Sequence, residues 1–190
     1  MAKSIEKQMD VAQRVLNKLE LFDPSCILAG GAPRDWYFGN LANDLDFYVY
    51  FRPDLPSRWR ENQLEKVGLK GFKAKGRESQ EFPENYKRNP HLMAVHEGIV
   101  SGEKVQIMFM DEKTFHCVVD LFPFGICQAW WKGKDYLDYL TQSNIHTTRY
   151  FDESVNHKVL RLLNDLYGDS DGYIEKIKNK FPDYLFIGRE

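Results

Sequence analysis

Two short stretches limit the architectures open to this chain. Cys26-Ile27-Leu28-Ala29 is an apolar run that ends in Gly30-Gly31, and twelve residues later Asp44-Leu45-Asp46 opens an aromatic and β-branched run reaching Phe51. The first reads as a buried strand giving way to a tight turn, with Pro33 placed to favour the first turn of a short helix. The second reads as a strand from Leu45 to Phe51, closed by Pro53. Side chains alternate along a strand with a period of two, so Asp44 and Asp46 point to the same face.

The remaining elements follow from periodicity. Ile5, Met9, Ala12, Leu16 and Leu19 recur at helical spacing, predicting an amphipathic helix over 4–21. Trp59, Leu64 and Val67 predict a helix from about Ser57. From Gly68 to Pro90 the chain is polar, basic and punctuated by Gly and Pro, the pattern of a long loop or flap. Leu92–Val100, Lys104–Met110, His116–Phe122 and Phe124–Trp130 read as strands, the first two joined by a hairpin turn at Ser101-Gly102. Asp135–Gln142, Glu153–Tyr167 and Tyr173–Lys180 read as helices. The order implies an α+β fold: a mixed β-sheet with flanking helices and a helical C-terminal third. With 190 residues the chain suits a single domain, with a core at about 20–130 and a helical extension at about 131–190.

Charge and composition exclude some classes of function. Twenty-six Lys and Arg against 28 Asp and Glu give a net charge of -2, which argues against coating a nucleic acid or an anionic membrane. No run of about 18 apolar residues is present, and the start MAKSIEKQMD is charged where an export signal is apolar. The expectation is a cytoplasmic protein with no membrane partner. Cys26, Cys117 and Cys127 offer neither a disulfide framework nor a CxxC site, and the five histidines form no HxxxH pair.

The chemistry lies in the paired acids. Magnesium prefers hard oxygen ligands and normally takes one or two protein carboxylates together with substrate phosphates. The adjacent glycines complement this, because a backbone without Cβ atoms can approach a triphosphate and present its N–H groups. The stretch Gly30-Gly31-Ala32-Pro33-Arg34-Asp35, then Gly39 and Asp44-Leu45-Asp46, resembles the catalytic head of the DNA polymerase beta superfamily of nucleotidyltransferases. Within it the pattern is closest to the CCA-adding enzymes and bacterial poly(A) polymerases, whose heads carry GGxVRD, a downstream Gly and DxD.

The resemblance implies a reaction and a set of roles. Asp44 and Asp46 would bind two magnesium ions, Gly30 and Gly31 would cradle a nucleoside triphosphate, Arg34 would hold phosphate and Asp35 would brace the loop. A nucleoside monophosphate would pass to a hydroxyl of RNA (a tRNA-like acceptor), a protein or a small molecule, with release of pyrophosphate. The family carries a third acid on a later strand, where this chain has Gln106 in one register and Pro123 in another. Asp120 or Asp111 stands in as the substitute, and Asp120 is taken as the third catalytic acid. By the family's helical neck, Arg149, Asp152, Asn156 and Arg161 become candidates for base or phosphate contacts. About sixty residues follow the sheet, so the expectation is a stand-alone minimal head.

Plainer readings accompany each of these. Asp44 and Asp46 taken alone are a turn residue and a strand-start acid, and Gly30-Gly31 alone is a turn. Arg34 suits a surface carboxylate as well as a phosphate. The basic 58–88 segment, with Trp59, Phe72, Phe82 and Tyr86, is a solvated loop or an acceptor-strand contact. Two other functions stay open: a catalytically inactive nucleotide-binding or protein-binding module of the same fold, and a toxin- or antitoxin-type nucleotidyltransferase.

Overall fold

The computed structural model describes residues 3–52, 58–76, 89–112, 118–164 and 172–188. Helix α1 (Ile5–Leu19) starts at Ser4, whose hydroxyl accepts a hydrogen bond from the Lys7 N–H, and buries Val11, Ala12, Val15, Leu16 and Leu19. Strand β1 (Ile27–Ala29) leads into the short α2 (Gly31–Tyr37), and β2 (Leu45–Tyr50) follows. Next come α3 (Arg58–Lys66), β3 (Lys73–Gly76) and the hairpin β4 (Leu92–Val100) with β5 (Glu103–Met110). After a 3-10 turn at Gly125–Cys127 come β6 (Ala129–Trp131), β7 (Ile145–Thr147), α4 (Arg149–His157), β8 (Val159–Arg161), α5 (Tyr173–Lys180) and β9 (Leu185–Ile187).

Among the described residues, seven strands form one mixed sheet in the order β3-β4-β5-β2-β1-β6-β7, and β8 pairs with β9 in a second, two-stranded sheet. Only the central β2–β5 pair of the large sheet is parallel. The expected α+β class with a mixed sheet is therefore the observed one. Each face of the sheet carries a core. Leu28, Leu45, Phe47, Val49, Val105, Ile107 and Phe109 pack beneath α1 and Trp36. On the opposite face Ala29, Met108, Met110 and Val95 meet Phe122, Phe124, Ile126, Phe151 of α4 and Ile177 of α5. This second layer leaves the β2 acids facing a hollow.

The hairpin turn sits where expected, with Ser101 at φ 52° and Gly102 at φ 85°, the two positive values that tight hairpins require. Several other elements differ from expectation. Within the 68–90 loop, Lys73–Gly76 forms an edge strand on β4; its polar character is normal for an edge, which hides it from hydrophobic patterning. Residues 77–88 lie outside the described set, as do 116 and 117 of the strand expected at His116–Phe122, whose remaining part is a turn. Of the strand expected at Phe124–Trp130, Phe124 is extended and bridges Leu162, Gly125–Cys127 form a 3-10 turn, and strand β6 begins at Ala129. Gly125 allows the compact turn before it, since a Cβ there would lie 2.6 Å from the Tyr150 carbonyl oxygen.

No helix forms at Asp135–Gln142, because Asp138 turns the chain back on itself. Its Oδ1 accepts from the Leu140 and Thr141 N–H groups and from the Thr141 hydroxyl, and such local bonds compete with a helix. The helix expected at Glu153–Tyr167 instead begins at Arg149, capped by Thr148, and stops at Lys158, which adopts the left-handed conformation. Val159, Leu160 and Arg161 then become strand β8, so apolar residues that read as one helical stripe belong to two elements. Residues 165–167 lie outside the described set. The expected helix at Tyr173–Lys180 is present as α5.

Candidate active site

Strand β2 orders the site. Leu45, Phe47 and Val49 are buried in the α1-side core, which turns Asp44, Asp46 and Tyr48 to the other face. In register beside Asp46 on β5 stands Gln106, and beside Gln106 on β4 stands Glu97. Lys104, two residues before Gln106, brings its Nζ to 3.9 Å from Asp44 Oδ2. Cross-strand neighbours point the same way, so one face carries two carboxylates, an amide, a third carboxylate and an ammonium in adjacent rows.

Asp46 is the most constrained of these groups. The residue is half-buried, with Oδ1 enclosed and without a hydrogen-bond partner. Enclosure pushes its carboxyl well above the ordinary carboxylate range, to about 8, and the charges of Asp44 and Glu97 add to the rise while Lys104 and Lys176 oppose it. A divalent cation would relieve both the missing partner and the repulsion between the two acids. The donor set of two carboxylates facing a cavity fits one magnesium ion completed by phosphate oxygens. Among the described residues no three His, Cys, Asp or Glu side chains gather into a metal-binding group.

The cavity in front of the acids has a volume of ≈ 210 Å³. Gly30, Gly31, Arg34 and Asp35 form one wall, Asn43, Asp44, Asp46 and Tyr48 the floor, Phe122, Pro123 and Cys127 a second wall, and Tyr173, Lys176, Ile177 and Lys180 of α5 the cover. Gly30 is required by two facts: its φ is 84°, and a Cβ would sit 3.3 Å from the Phe122 ring. Its N–H donates to the Ala129 carbonyl, which ties the bend to β6. Arg34 is buried, donating from Nε to Asp35 Oδ1 at 2.9 Å, while Lys180 Nζ reaches Asp35 Oδ2 at 2.6 Å. Asp35 thus fixes two cations at the cavity wall.

No protein-family model matches the sequence, and a search of characterised proteins finds no match. Comparison of the coordinates with solved structures does. A CCA-adding enzyme solved with ATP superposes with a TM-score of 0.58 at 16% identity, covering 93% of this chain and 38% of that one. The Thermotoga maritima CCA-adding enzyme complexed with tRNA gives a TM-score of 0.59 at 13% identity, covering 99% of this chain and 43% of the other. A tRNA-processing enzyme gives 0.58 at 12% identity over 95% of this chain and 44% of its own.

The fold is that of a nucleotidyltransferase. The chain spans roughly two fifths of the length of these solved structures, matching 38 to 44% of each.

Within this nucleotidyltransferase fold, Gly30, Gly31, Arg34, Asp44 and Asp46 all line one cavity. Asp120 does not join them. It lines a separate open cleft with Gln128, Thr148, Arg149 and Asn164. Asp111 shares a hydrogen bond with the His91 ring at 3.1 Å and lines neither hollow. The candidates at 149–161, three on α4 and Arg161 on β8, do not line the acids' cavity either. Arg149 is exposed with its guanidinium 4.6 Å from the Tyr150 ring, Asp152 accepts from the Thr147 hydroxyl at 2.8 Å, Asn156 is exposed, and Arg161 pairs with Glu153 at 2.9 Å. Their candidacy rests on position relative to the family's helical neck, and the stop at Lys158 puts Arg161 on β8 rather than on that helix.

Sequence reasoning missed Tyr173, Lys176 and Lys180. They share one face of α5 at spacings of three and four, a pattern visible in the sequence without its destination. No helix of the described residues is long and apolar enough to cross a membrane.

Proposed function

We propose that this chain transfers a nucleoside monophosphate from a nucleoside triphosphate to a hydroxyl acceptor in a reaction that depends on magnesium. The observation that carries this reading is the enclosed Asp46 carboxylate beside Asp44, facing a cavity that also holds the Gly30-Gly31 bend and the cations of Arg34 and Lys176. Asp44 and Asp46 would hold the metal. When bound, it would supply positive charge to the reacting phosphate and lower the pKa of a coordinated hydroxyl.

The protein's own residues account for the rest. Gly31 leaves the backbone open to phosphate, since among the described residues a Cβ there would meet only the Arg34 guanidinium, at 3.9 Å, while Gly30 makes the bend that presents it. Arg34, held by Asp35, and Lys176 supply fixed charge for the phosphate tail as pyrophosphate departs. Tyr48, Phe122 and Tyr173 add aromatic walls to the cavity. The similar proteins solved with ATP and with tRNA make a tRNA-like 3′ end the first acceptor to try.

The test is transfer of label from each [α-32P]NTP to tRNA transcripts, to protein and to small hydroxyl acceptors. Wild-type protein should label an acceptor, and Asp44→Asn and Asp46→Asn should each abolish labelling. A second reading, a binding module without turnover, is favoured by the amide at 106, which puts a neutral group beside Asp46. Magnesium-dependent triphosphate binding with no transfer to any acceptor would select it.

A further inference from the structure

The turn from Asp120 to Gln128 serves two hollows. Phe122, Pro123 and Cys127 line the catalytic cavity, while their chain neighbours Leu121 and Gln128, with Asp120, line an open cleft of ≈ 600 Å³. The start of α4, at Thr148, Arg149 and Tyr150, also lines this cleft. The first N–H groups of a helix have no carbonyl partner within it. Here the Thr148 hydroxyl accepts from the Phe151 N–H and the Thr148 carbonyl from that of Asp152. The Arg149 and Tyr150 N–H groups are left without a partner among the described residues.

Gln128 gives an independent sign of a missing ligand. It is 2% exposed, its Oε1 accepts from the Thr148 hydroxyl at 2.8 Å, and its Nε2 has no hydrogen-bond partner among the described residues. Buried polar groups are normally paired, so an amide with its oxygen held and its NH2 group unused calls for an acceptor. The exposed Arg149 guanidinium, which donates to the Tyr150 hydroxyl at 2.7 Å, adds a cation beside it. Free N–H groups at the positive end of a helix, an unused NH2 group and a guanidinium together suit the oxygens of a phosphate. The exposed carboxylate of Asp120 opposes an anion in the same cleft, which gives its removal a definite sign.

We propose that this cleft binds a backbone phosphate of the acceptor, a single-stranded RNA segment whose terminal hydroxyl enters the neighbouring catalytic cavity. The assignment rests on the reading of the chain as a transferase to a hydroxyl, and it narrows the acceptor to a polynucleotide. A chain of net charge -2 does not attract RNA overall, so a local phosphate contact is what sets the strand's position.

The experiment measures fluorescence anisotropy of a short fluorescein-labelled single-stranded RNA titrated with the full chain, without nucleoside triphosphate, over a series of salt concentrations. Gln128→Glu keeps an oxygen for the Thr148 hydroxyl and replaces the NH2 group. It should weaken RNA binding about tenfold, the worth of one hydrogen bond to a charged group, with an unchanged circular dichroism melt. Arg149→Ala should weaken binding and reduce the slope of log affinity against log salt by about 0.7, the share of one phosphate contact, and Asp120→Asn should tighten binding. An oligomer with uncharged methylphosphonate linkages should bind weakly and equally to wild type and Gln128→Glu. Absence of RNA binding by wild type, unchanged affinity in Gln128→Glu, or equal sensitivity of the uncharged oligomer overturns the proposal. Inorganic phosphate that binds as tightly as the RNA and displaces it would mark a free-phosphate site and overturn the acceptor assignment, as would a phosphopeptide bound through Gln128 where RNA is not. Should Gln128→Glu fail to fold, the opposite shifts expected of the exposed Arg149→Ala and Asp120→Asn decide the question. Gln128-dependent RNA binding with no label transfer to any acceptor would defeat the transferase reading and leave the phosphate site standing. Transfer to RNA whose affinity ignores Gln128, Arg149 and Asp120 would defeat only the present proposal.

Discussion

Replacing Asp46 by Asn should make the metal-free protein more stable while removing its activity. The carboxyl is raised by enclosure and by Asp44, so across the window from the ordinary carboxylate range to about 8 the folded state holds a proton that the unfolded state has released. Folding then binds protons in that window, and stability falls as pH rises through it. Above about 8 the loss is complete, because both states are ionised. An enclosed polar atom without a partner costs about 1–3 kcal/mol, and Oδ1 of Asp46 is such an atom. Asn keeps the shape, removes the charge and can donate to Asp44, so the substitution should recover on the order of 1–3 kcal/mol at pH 8. For a chain of this size that is a rise of about 2–12 °C in melting temperature. Thermal unfolding followed by circular dichroism at pH 5 and pH 8, without divalent ions, measures it. Wild-type protein should melt lower at pH 8 than at pH 5, and Asp46→Asn should lose most of that difference. Adding magnesium at pH 8 should raise the wild-type melt and leave the variant unmoved, because only a folded-state site gains from the ion. A variant that melts lower than wild type at pH 8, or a wild-type melt with no pH dependence, would refute the assignment of Asp46 as an enclosed and strained charge.

Other substitutions probe the walls of the cavity. Lys176→Gln should raise the KM for the triphosphate about tenfold, near the worth of one charged hydrogen bond, with an unchanged melting temperature, since the residue is exposed on α5. Gly30→Ala should destabilise by about 1–3 kcal/mol, read from urea unfolding, because the residue has φ 84° and the new methyl meets the Phe122 ring. Asp35→Ala should cost about 3–5 kcal/mol by stranding the buried Arg34 guanidinium, and Asp35→Asn less, as judged by the same unfolding series. Asp120→Ala should leave Mn2+ affinity within about twofold of wild type, since Asp120 lines the other cleft.

Features legible in the sequence were local ones. The alternation around Asp44 and Asp46 placed them on a shared face, Ser101-Gly102 marked the β4–β5 hairpin, and the stripe from Ile5 to Leu19 marked α1, each through interactions within a few residues. The resemblance placed Gly30, Gly31 and Arg34 with the acids, and they line one cavity. What stayed hidden depended on distant partners. Val159 to Arg161 is extended because β9, more than twenty residues later, pairs with it. Lys176 and Lys180 reach the cavity because Ile177 and Phe181 dock in the second core, which spacing within α5 does not reveal. Glu97 lies beside Gln106 through the β4–β5 register, and that register follows from the hairpin only once the irregularity between Leu92 and Ala94 is known to lie beyond it.

A crystal structure with magnesium and a non-hydrolysable nucleoside triphosphate would decide most between these readings. A cation should bridge the Asp44 and Asp46 carboxylates, with the phosphate tail lying along Gly30-Gly31 and within reach of Arg34 and Lys176. A triphosphate bound elsewhere, or Asp44 and Asp46 neutralised by Lys104 and Lys176 with no cation between them, would contradict the proposed site.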